Sequence, residues 1–157
     1  MNLLSKRVVN RLIKKKITIS TAESCTGGLL SSAITSVKGS SKIFHFGIIA
    51  YTNSSKRELL RVPKKLITKY GAVSDQVCEA MVKNLGNISK TNIAISITGV
   101  AGPGRGSINK PVGLVFIGVK KKNKISINKF LFKNKGRKHI QKSAVKKSLV
   151  LVLNSLK

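Results

Sequence analysis

Several features that mark common protein classes are scarce or absent in this sequence. Two cysteines, Cys25 and Cys78, are too few for a disulfide scaffold and favour a reducing compartment. No CxxC pair or His/Cys cluster occurs at metal-ligand spacing, so we expect no zinc site and no other metal. No apolar run approaches the roughly 18 residues of a membrane span, and the first seven residues lack the apolar core of a signal peptide. We therefore expect a cytoplasmic protein without membrane contact.

Acidic residues are the scarcest group. The 157 residues include 4 Asp and Glu against 31 Lys and Arg, a formal net charge of +27, which raises the hypothesis of a nucleic-acid partner. The basic residues are spread over both ends of the chain, with 14 in residues 1–70, 3 in 71–109 and 14 in 110–157. Lysine, isoleucine and asparagine, all with A/T-rich codons, make up 53 residues. Genome drift is the favoured explanation, so we do not expect a nucleic-acid partner.

The apolar pattern predicts one α/β domain over residues 1–157. A length of 157 residues suits a single domain, and a hydrophobic fraction of 41% can form a sizeable core. Helical spacing and β-branched runs predict alternating elements, with an antiparallel hairpin near the end. The predicted helices cover residues 3–14, 25–37, 63–70 (in short pieces), 75–88 and 140–156, and the predicted strands cover 17–22, 43–51, 93–97, 112–119 and 125–132. This order predicts a three-layer α/β/α fold with a mixed sheet of about five strands.

Two predicted strand ends have unusual sequences, residues 22–28 (AESCTGG) and 98–104 (TGVAGPG). Ligand sites in such folds lie at the carboxyl ends of strands. Ser24 lies where a strand turns into a predicted helix, where free N–H groups favour negative charge. The simpler alternative is that Ser24 caps the helix and that Gly27 and Gly28 are packing residues.

A serine nucleophile needs a base, and the sequence alone does not identify one. His45 and His139 have no acidic partner nearby in sequence, so a Ser-His-Asp triad is unsupported. Lys56 is a candidate if burial and neighbouring cations lower its pKa, although any single lysine is usually a solvated surface amine. Cys25 is a rival nucleophile, but a buried structural thiol is the simpler interpretation.

Two of the four acids lie beside these candidates. Glu23 precedes Ser24, and Glu58 lies two residues after Lys56. Such a placement in so basic a chain suggests retained roles. The glycine-rich loop at 102–106 resembles a phosphate-binding nest but lacks the Walker lysine and the GxGxxG spacing, so it is a weak nucleotide signal.

Six ordered motifs together resemble one known family. They are residues 22–28 (AESCTGG), 39–41 (GSS), 50–56 (AYTNSSK), 71–74 (GAVS), 98–104 (TGVAGPG) and 110–113 (KPVG). In this order they are similar to the C-terminal domain of the competence/damage-inducible protein CinA, which also occurs alone as nicotinamide-nucleotide amidase. The resemblance covers roughly residues 5–155.

The resemblance implies hydrolysis of the carboxamide of nicotinamide mononucleotide, giving nicotinic acid mononucleotide and ammonia without a cofactor. It implies Ser24 as nucleophile, Lys56 as general base and Tyr51 as an assisting hydroxyl. Backbone amides around Thr26–Gly28 or in the loop Gly99–Gly104 would hold the oxyanion. The residues expected to contact substrate are Glu23, Thr26, Gly27, Gly28, Thr98, Gly99, Ala101, Gly102, Arg105 and Arg137.

The sequence departs from the family pattern at two places. Arg105 interrupts the glycines that usually follow Gly-Pro-Gly, and only Arg137 matches the Gly-Asp-Arg that precedes the last helix. Both arginines are candidates for binding the substrate phosphate, although each could equally be a solvated surface residue. We expect a homo-oligomer, most simply a dimer. The alternative function is a basic nucleic-acid-binding protein that keeps the fold without catalysis.

Overall fold

The computed structural model describes residues 2–104 and 106–157. Over these residues the chain forms six α-helices, one short 3₁₀ helix (Ser40–Lys42) and five strands. The helices are α1 (Asn2–Lys15), α2 (Leu29–Thr35), α3 (Asn53–Leu60), α4 (Lys64–Tyr70), α5 (Asp75–Ser89) and α6 (Arg137–Ser155). The strands are β1 (Ile19–Glu23), β2 (Phe44–Ile49), β3 (Ile93–Gly99), β4 (Leu114–Lys121) and β5 (Lys124–Leu131).

The five strands form one mixed sheet in the order β2-β1-β3-β4-β5. The central strand β1 is parallel to β2 and β3, whereas β4 runs antiparallel to β3 and β5. Every residue of β1 is buried, as expected for a strand with both faces covered. The predicted three-layer α/β/α fold and its mixed sheet of five strands are therefore confirmed.

Two apolar cores cover the two faces of the sheet. Residues from α1, α2 and α6 pack on one face, where Leu12, Ile34 and Leu149 are fully buried. Residues from α5, with the end of α3, pack on the other face, where Met81 and Leu60 are fully buried. Within the described part of the chain, no helix is both long enough and apolar enough to cross a bilayer.

Two helices of the structure differ from the prediction. The helix expected over residues 25–37 begins only at Leu29, because Gly27 and Gly28 have φ angles of 59° and 95° and form a turn after β1. Helix α3 was not predicted, although Thr52 and Ser55 form a capping box at its start. The missed helix matters because it carries Lys56.

Candidate active site

The carboxyl ends of β1 and β3 lie side by side and open into a cleft. Because these strands are parallel and Glu23 pairs with Ile97, the chain segments that follow them leave the sheet at the same edge. The Ser24 N–H continues this pairing by donating to the Ile97 carbonyl at 3.0 Å. Ser24, Thr98 and Gly99 therefore come together, as the sequence predicted for these two strand ends.

Lys56 reaches Ser24 from α3. Its Nζ donates to Ser24 Oγ at 2.9 Å, to the Ala50 carbonyl at 2.8 Å and to the Tyr51 carbonyl at 3.3 Å. The capping box at Thr52 fixes the start of α3, so Lys56 lies one turn into the helix, where its amine reaches the two carbonyls that follow β2. Lys56 is only 1% exposed and Ser24 is 7% exposed. The two side chains form a buried hydroxyl–amine pair.

Burial lowers the pKa of Lys56 to about 8 from its ordinary value of 10.5. The nearby Cys25 acts weakly in the opposite direction. The expectation that neighbouring cations help to lower this pKa is therefore not supported, since the lowering comes from desolvation. With a pKa of about 8, about one-tenth of the molecules carry a neutral Lys56 at pH 7, enough for a working base.

Glu23 lies beneath the cleft. Its side chain is fully buried, and its carboxylate accepts the Gly28, Leu30 and Ser31 N–H groups and the Ser31 hydroxyl, at 2.6–3.1 Å. The carboxylate thus caps α2, as favoured by the helix dipole. The structure corrects two hypotheses: Glu23 is a structural cap that does not line the cleft, and Ser24 does not cap α2.

The cleft has a volume of about 250 Å³. It is lined by Ser24, Cys25, Tyr51, Asn53, Lys56, Ala72, Val73, Thr98, Gly99, Ala101 and Arg137. Seven of the residues expected at the site are therefore present. Thr26, Gly27, Gly28 and Gly102 adjoin the cleft without lining it, and Arg105 lies outside the described residues. A larger depression of about 890 Å³, near the β4–β5 hairpin, is lined by three lysines and two serines, but there Lys121 Nζ donates to the Ser155 carbonyl and not to its hydroxyl.

Arg137 joins two walls of the cleft. Its Nη1 donates to the Gly102 carbonyl at 2.6 Å, and its Nη2 donates to the Tyr51 hydroxyl at 2.7 Å. Both contacts hold groups of the protein, so phosphate binding by Arg137 would require it to exchange or share these partners. The Tyr51 side chain is 53% exposed at the mouth of the cleft.

The rival nucleophile and bases do not fit the site. Burial raises the pKa of the Cys25 thiol to about 12, which keeps it protonated and inert. His45 is exposed on the edge strand β2, and His139 is exposed on α6; neither lines the cleft. Among the described residues, no three His, Cys, Asp or Glu side chains come together as a metal-binding group.

Two residues at the site were missed from the sequence. Asn53 lines the cleft from the first position of α3, and the capping signal at Thr52 could have placed it there. Gln141 lies one turn after Arg137 on α6, and its Nε2 donates to the Cys25 carbonyl at 2.8 Å. No sequence signal links Gln141 to Cys25, because 116 residues separate them.

A buried serine hydrogen-bonded to a buried lysine, at the carboxyl ends of two parallel strands of an α/β sheet, is the arrangement of a nucleophile beside a base. The sequence model of the CinA C-terminal domain matches residues 1–156, and the chain belongs to this family.

Curated relatives agree with this assignment. A CinA-like protein of Prochlorococcus marinus strain MIT 9301 is 45% identical over 152 residues, covering 96% of this chain and 35% of the relative. A CinA-like protein of Leptospira biflexa is 46% identical over 151 residues, covering 96% of this chain and 36% of the relative. The chain thus spans about a third of the length of the curated relatives it matches.

Solved structures show the same fold. The competence/damage-inducible protein CihA of Agrobacterium tumefaciens superposes with a TM-score of 0.94 at 37% identity, covering 99% of this chain and 94% of that one. A CinA superfamily protein of Escherichia coli superposes with a TM-score of 0.93 at 28% identity, covering 98% and 89% of the two chains. These matches cover the elements that form the cleft.

Proposed function

We propose that the chain is an amidohydrolase that converts nicotinamide mononucleotide to nicotinic acid mononucleotide and ammonia. The observation that carries this proposal is the 2.9 Å contact between Lys56 Nζ and Ser24 Oγ, with the lysine almost fully buried. The pair supports acyl transfer through a serine nucleophile and a lysine base. The choice of nicotinamide mononucleotide as the substrate rests on the family resemblance.

The hydrogen bonds around Lys56 suit a base aimed at Ser24. A neutral lysine amine has two N–H donors and one lone pair. If the two N–H groups donate to the Ala50 and Tyr51 carbonyls, the lone pair remains for the third partner, the Ser24 hydroxyl. The two backbone carbonyls therefore orient the base, and burial supplies its neutral form at moderate pH.

The reaction begins when Ser24 Oγ bonds to the carboxamide carbon and its proton passes to Lys56 Nζ. The tetrahedral intermediate collapses with cleavage of the C–N bond, and Lys56 returns the proton to the departing nitrogen, which leaves as ammonia. Water then attacks the acyl-enzyme, again with Lys56 as base, and releases the carboxylic acid and Ser24. No cofactor takes part in these steps.

The small cleft suits the amide end of a larger substrate. Its volume of about 250 Å³ is below the range of about 300–1,000 Å³ that is typical of ligand pockets, and exposed Tyr51 and Asn53 lie at its rim. We propose that the pyridine carboxamide enters the cleft, while the ribose phosphate stays at the mouth. The cationic surroundings would attract the phosphate.

Ammonia release by purified protein tests this proposal. We expect nicotinamide mononucleotide to be the preferred substrate over nicotinamide, nicotinamide riboside and NAD, with ammonia and nicotinic acid mononucleotide in equal amounts. Ser24→Ala should reduce release to background while the fold stays intact, whereas Ser32→Ala, on the exposed side of α2, should retain full activity. Absence of ammonia from the whole panel would contradict the proposed activity.

The distribution of charge favours a second candidate, nucleic-acid binding. The adjacent helices α1 and α6 together carry ten Lys and Arg and no acid, whereas the three exposed acids lie on α3 and α5. A duplex-binding titration against salt separates the two functions. Tight binding with a steep salt dependence, together with no amide hydrolysis, would favour this second candidate.

A further inference from the structure

The peptide group between Cys25 and Thr26 is held by the last helix of the chain. Gln141 Nε2 donates to the Cys25 carbonyl at 2.8 Å. Gln141 lies four residues after Arg137 and therefore on the same face of α6, where Arg137 holds the Gly102 carbonyl. The first turns of α6 thus bind both strand-end segments that border the cleft.

The contact with Gln141 also fixes the direction of an N–H group. The Cys25 carbonyl and the Thr26 N–H belong to one planar trans peptide and point in opposite directions. Because the carbonyl points to Gln141, the Thr26 N–H points away from α6. A hydrogen bond on the carbonyl also polarises the peptide and makes its N–H a better donor.

The Thr26 N–H is the free donor among the three that follow Cys25. The Gly27 N–H donates to the Ser24 carbonyl at 3.1 Å, and the Gly28 N–H donates to the Glu23 carboxylate at 3.1 Å. Within the residues that the structure describes, the Thr26 N–H has no protein acceptor. Of the three amides in Thr26–Gly28, one of the two segments expected to hold the oxyanion, only the Thr26 N–H is therefore free to do so.

The Thr26 side chain adds an independent observation. Thr26 is 1% exposed, and its Oγ1 is buried without a hydrogen-bond partner among the described residues. Buried hydroxyls are normally satisfied, and an unsatisfied one costs free energy unless a ligand or water completes it. Thr26, two positions after Ser24, therefore has both its N–H and its hydroxyl without a partner among the described residues.

We propose that the Thr26 N–H is the oxyanion donor and that Gln141 is the positioning residue that orients it. The inference rests on the proposed role of Ser24 as nucleophile. When Ser24 Oγ bonds to the carboxamide carbon, the C=O electron pair moves to oxygen, and the Thr26 N–H stabilises that charge. The pair returns to carbon as the C–N bond breaks. Gln141 touches no reacting atom and acts through the peptide.

Substitutions at Gln141 test the orientation. Gln141→Met has a similar length but no donor, and we expect kcat to fall about 10- to 100-fold with KM nearly unchanged, because the donor acts mainly in the transition state. Gln141→Glu places a carboxylate against the Cys25 carbonyl, so its kcat should fall at least as far. Gln141→Arg restores an N–H donor and should recover most of the rate. Gln76→Met, on α5 and outside the cleft, is the matched control.

A second readout does not depend on the proposed substrate. A fluorophosphonate that labels Ser24 develops charge on its phosphoryl oxygen, so labelling should slow in Gln141→Met and recover in Gln141→Arg. If wild-type protein labels with this dependence but releases no ammonia, the inference stands and the proposed substrate is wrong. Unchanged turnover and labelling in a folded Gln141→Met variant would overturn the inference alone. Wild-type protein that neither releases ammonia nor is labelled at Ser24 would overturn both the inference and the proposed function.

Discussion

Lysines occur both in the cleft and on the outer surface of α6, but the cleft lysine is buried and those on α6 are exposed. In the cleft, Lys56 is buried against three oxygen atoms and its pKa is lowered to about 8. On α6, Lys138, Lys142 and Lys146 are exposed to solvent. The net charge of +27 therefore does not indicate which lysine could act as a base, whereas the burial of Lys56 beside Ser24 does.

Among substitutions of basic residues, removing the cleft lysine should have the largest effect on turnover. Lys56→Met keeps the length of the side chain but removes the amine, so we expect kcat to fall at least about 100-fold, as for the loss of a general base. Lys142→Met is the matched control on α6 and should retain wild-type activity. Initial rates of ammonia release measure both variants. Equal rates of ammonia release by Lys56→Met and Lys142→Met would show that the buried lysine has no special role in turnover.

The pH dependence should show the low pKa of Lys56. The proposed base is the neutral amine, so kcat/KM should rise with pH, about tenfold per unit below pH 8, and level off above it. Between pH 6 and pH 8 the increase should be about 50-fold. In Lys56→Met the residual rate should not show this rise. A flat wild-type profile over the same range would mean that the amine is not the titrating base.

Weakening the contacts of Arg137 should have an intermediate effect. Arg137→Lys keeps the charge but loses the forked donation to Gly102 and Tyr51, so we expect kcat/KM to fall about tenfold. Arg7→Lys, on the exposed side of α1, serves as the control and should be silent. An Arg137→Lys variant with wild-type kinetics would show that this bridge does not shape the cleft.

Neutralising the outer surface should have the smallest effect. The triple variant Lys138→Gln, Lys142→Gln and Lys146→Gln should change kcat/KM less than about threefold, through weaker attraction of an anionic substrate. The same variant should show little change in salt-dependent binding of duplex DNA. Loss of strong DNA binding in the triple variant would instead give the basic surface a function of its own.

The order of elements and the two strand ends could be predicted from the sequence, because β-branched runs and helical spacing are local signals. Helix α3 was missed, since Asn53–Leu60 has a weak apolar pattern and its start depends on the Thr52 capping box. The buried Lys56 was recognised only through the family resemblance, because burial is a tertiary property. The roles of Glu23 and Gln141 depend on contacts with chain segments that the local sequence does not reveal.

The proposed reaction requires Ser24 to attack the amide and form an acyl-enzyme. The most direct measurement is acid quenching during turnover of nicotinamide mononucleotide, followed by mass spectrometry of the peptide that contains Ser24. We expect the acyl adduct on Ser24 in wild-type protein, and neither adduct nor ammonia in Ser24→Ala. Ammonia release at the wild-type rate by a folded Ser24→Ala variant would show that Ser24 is not the nucleophile.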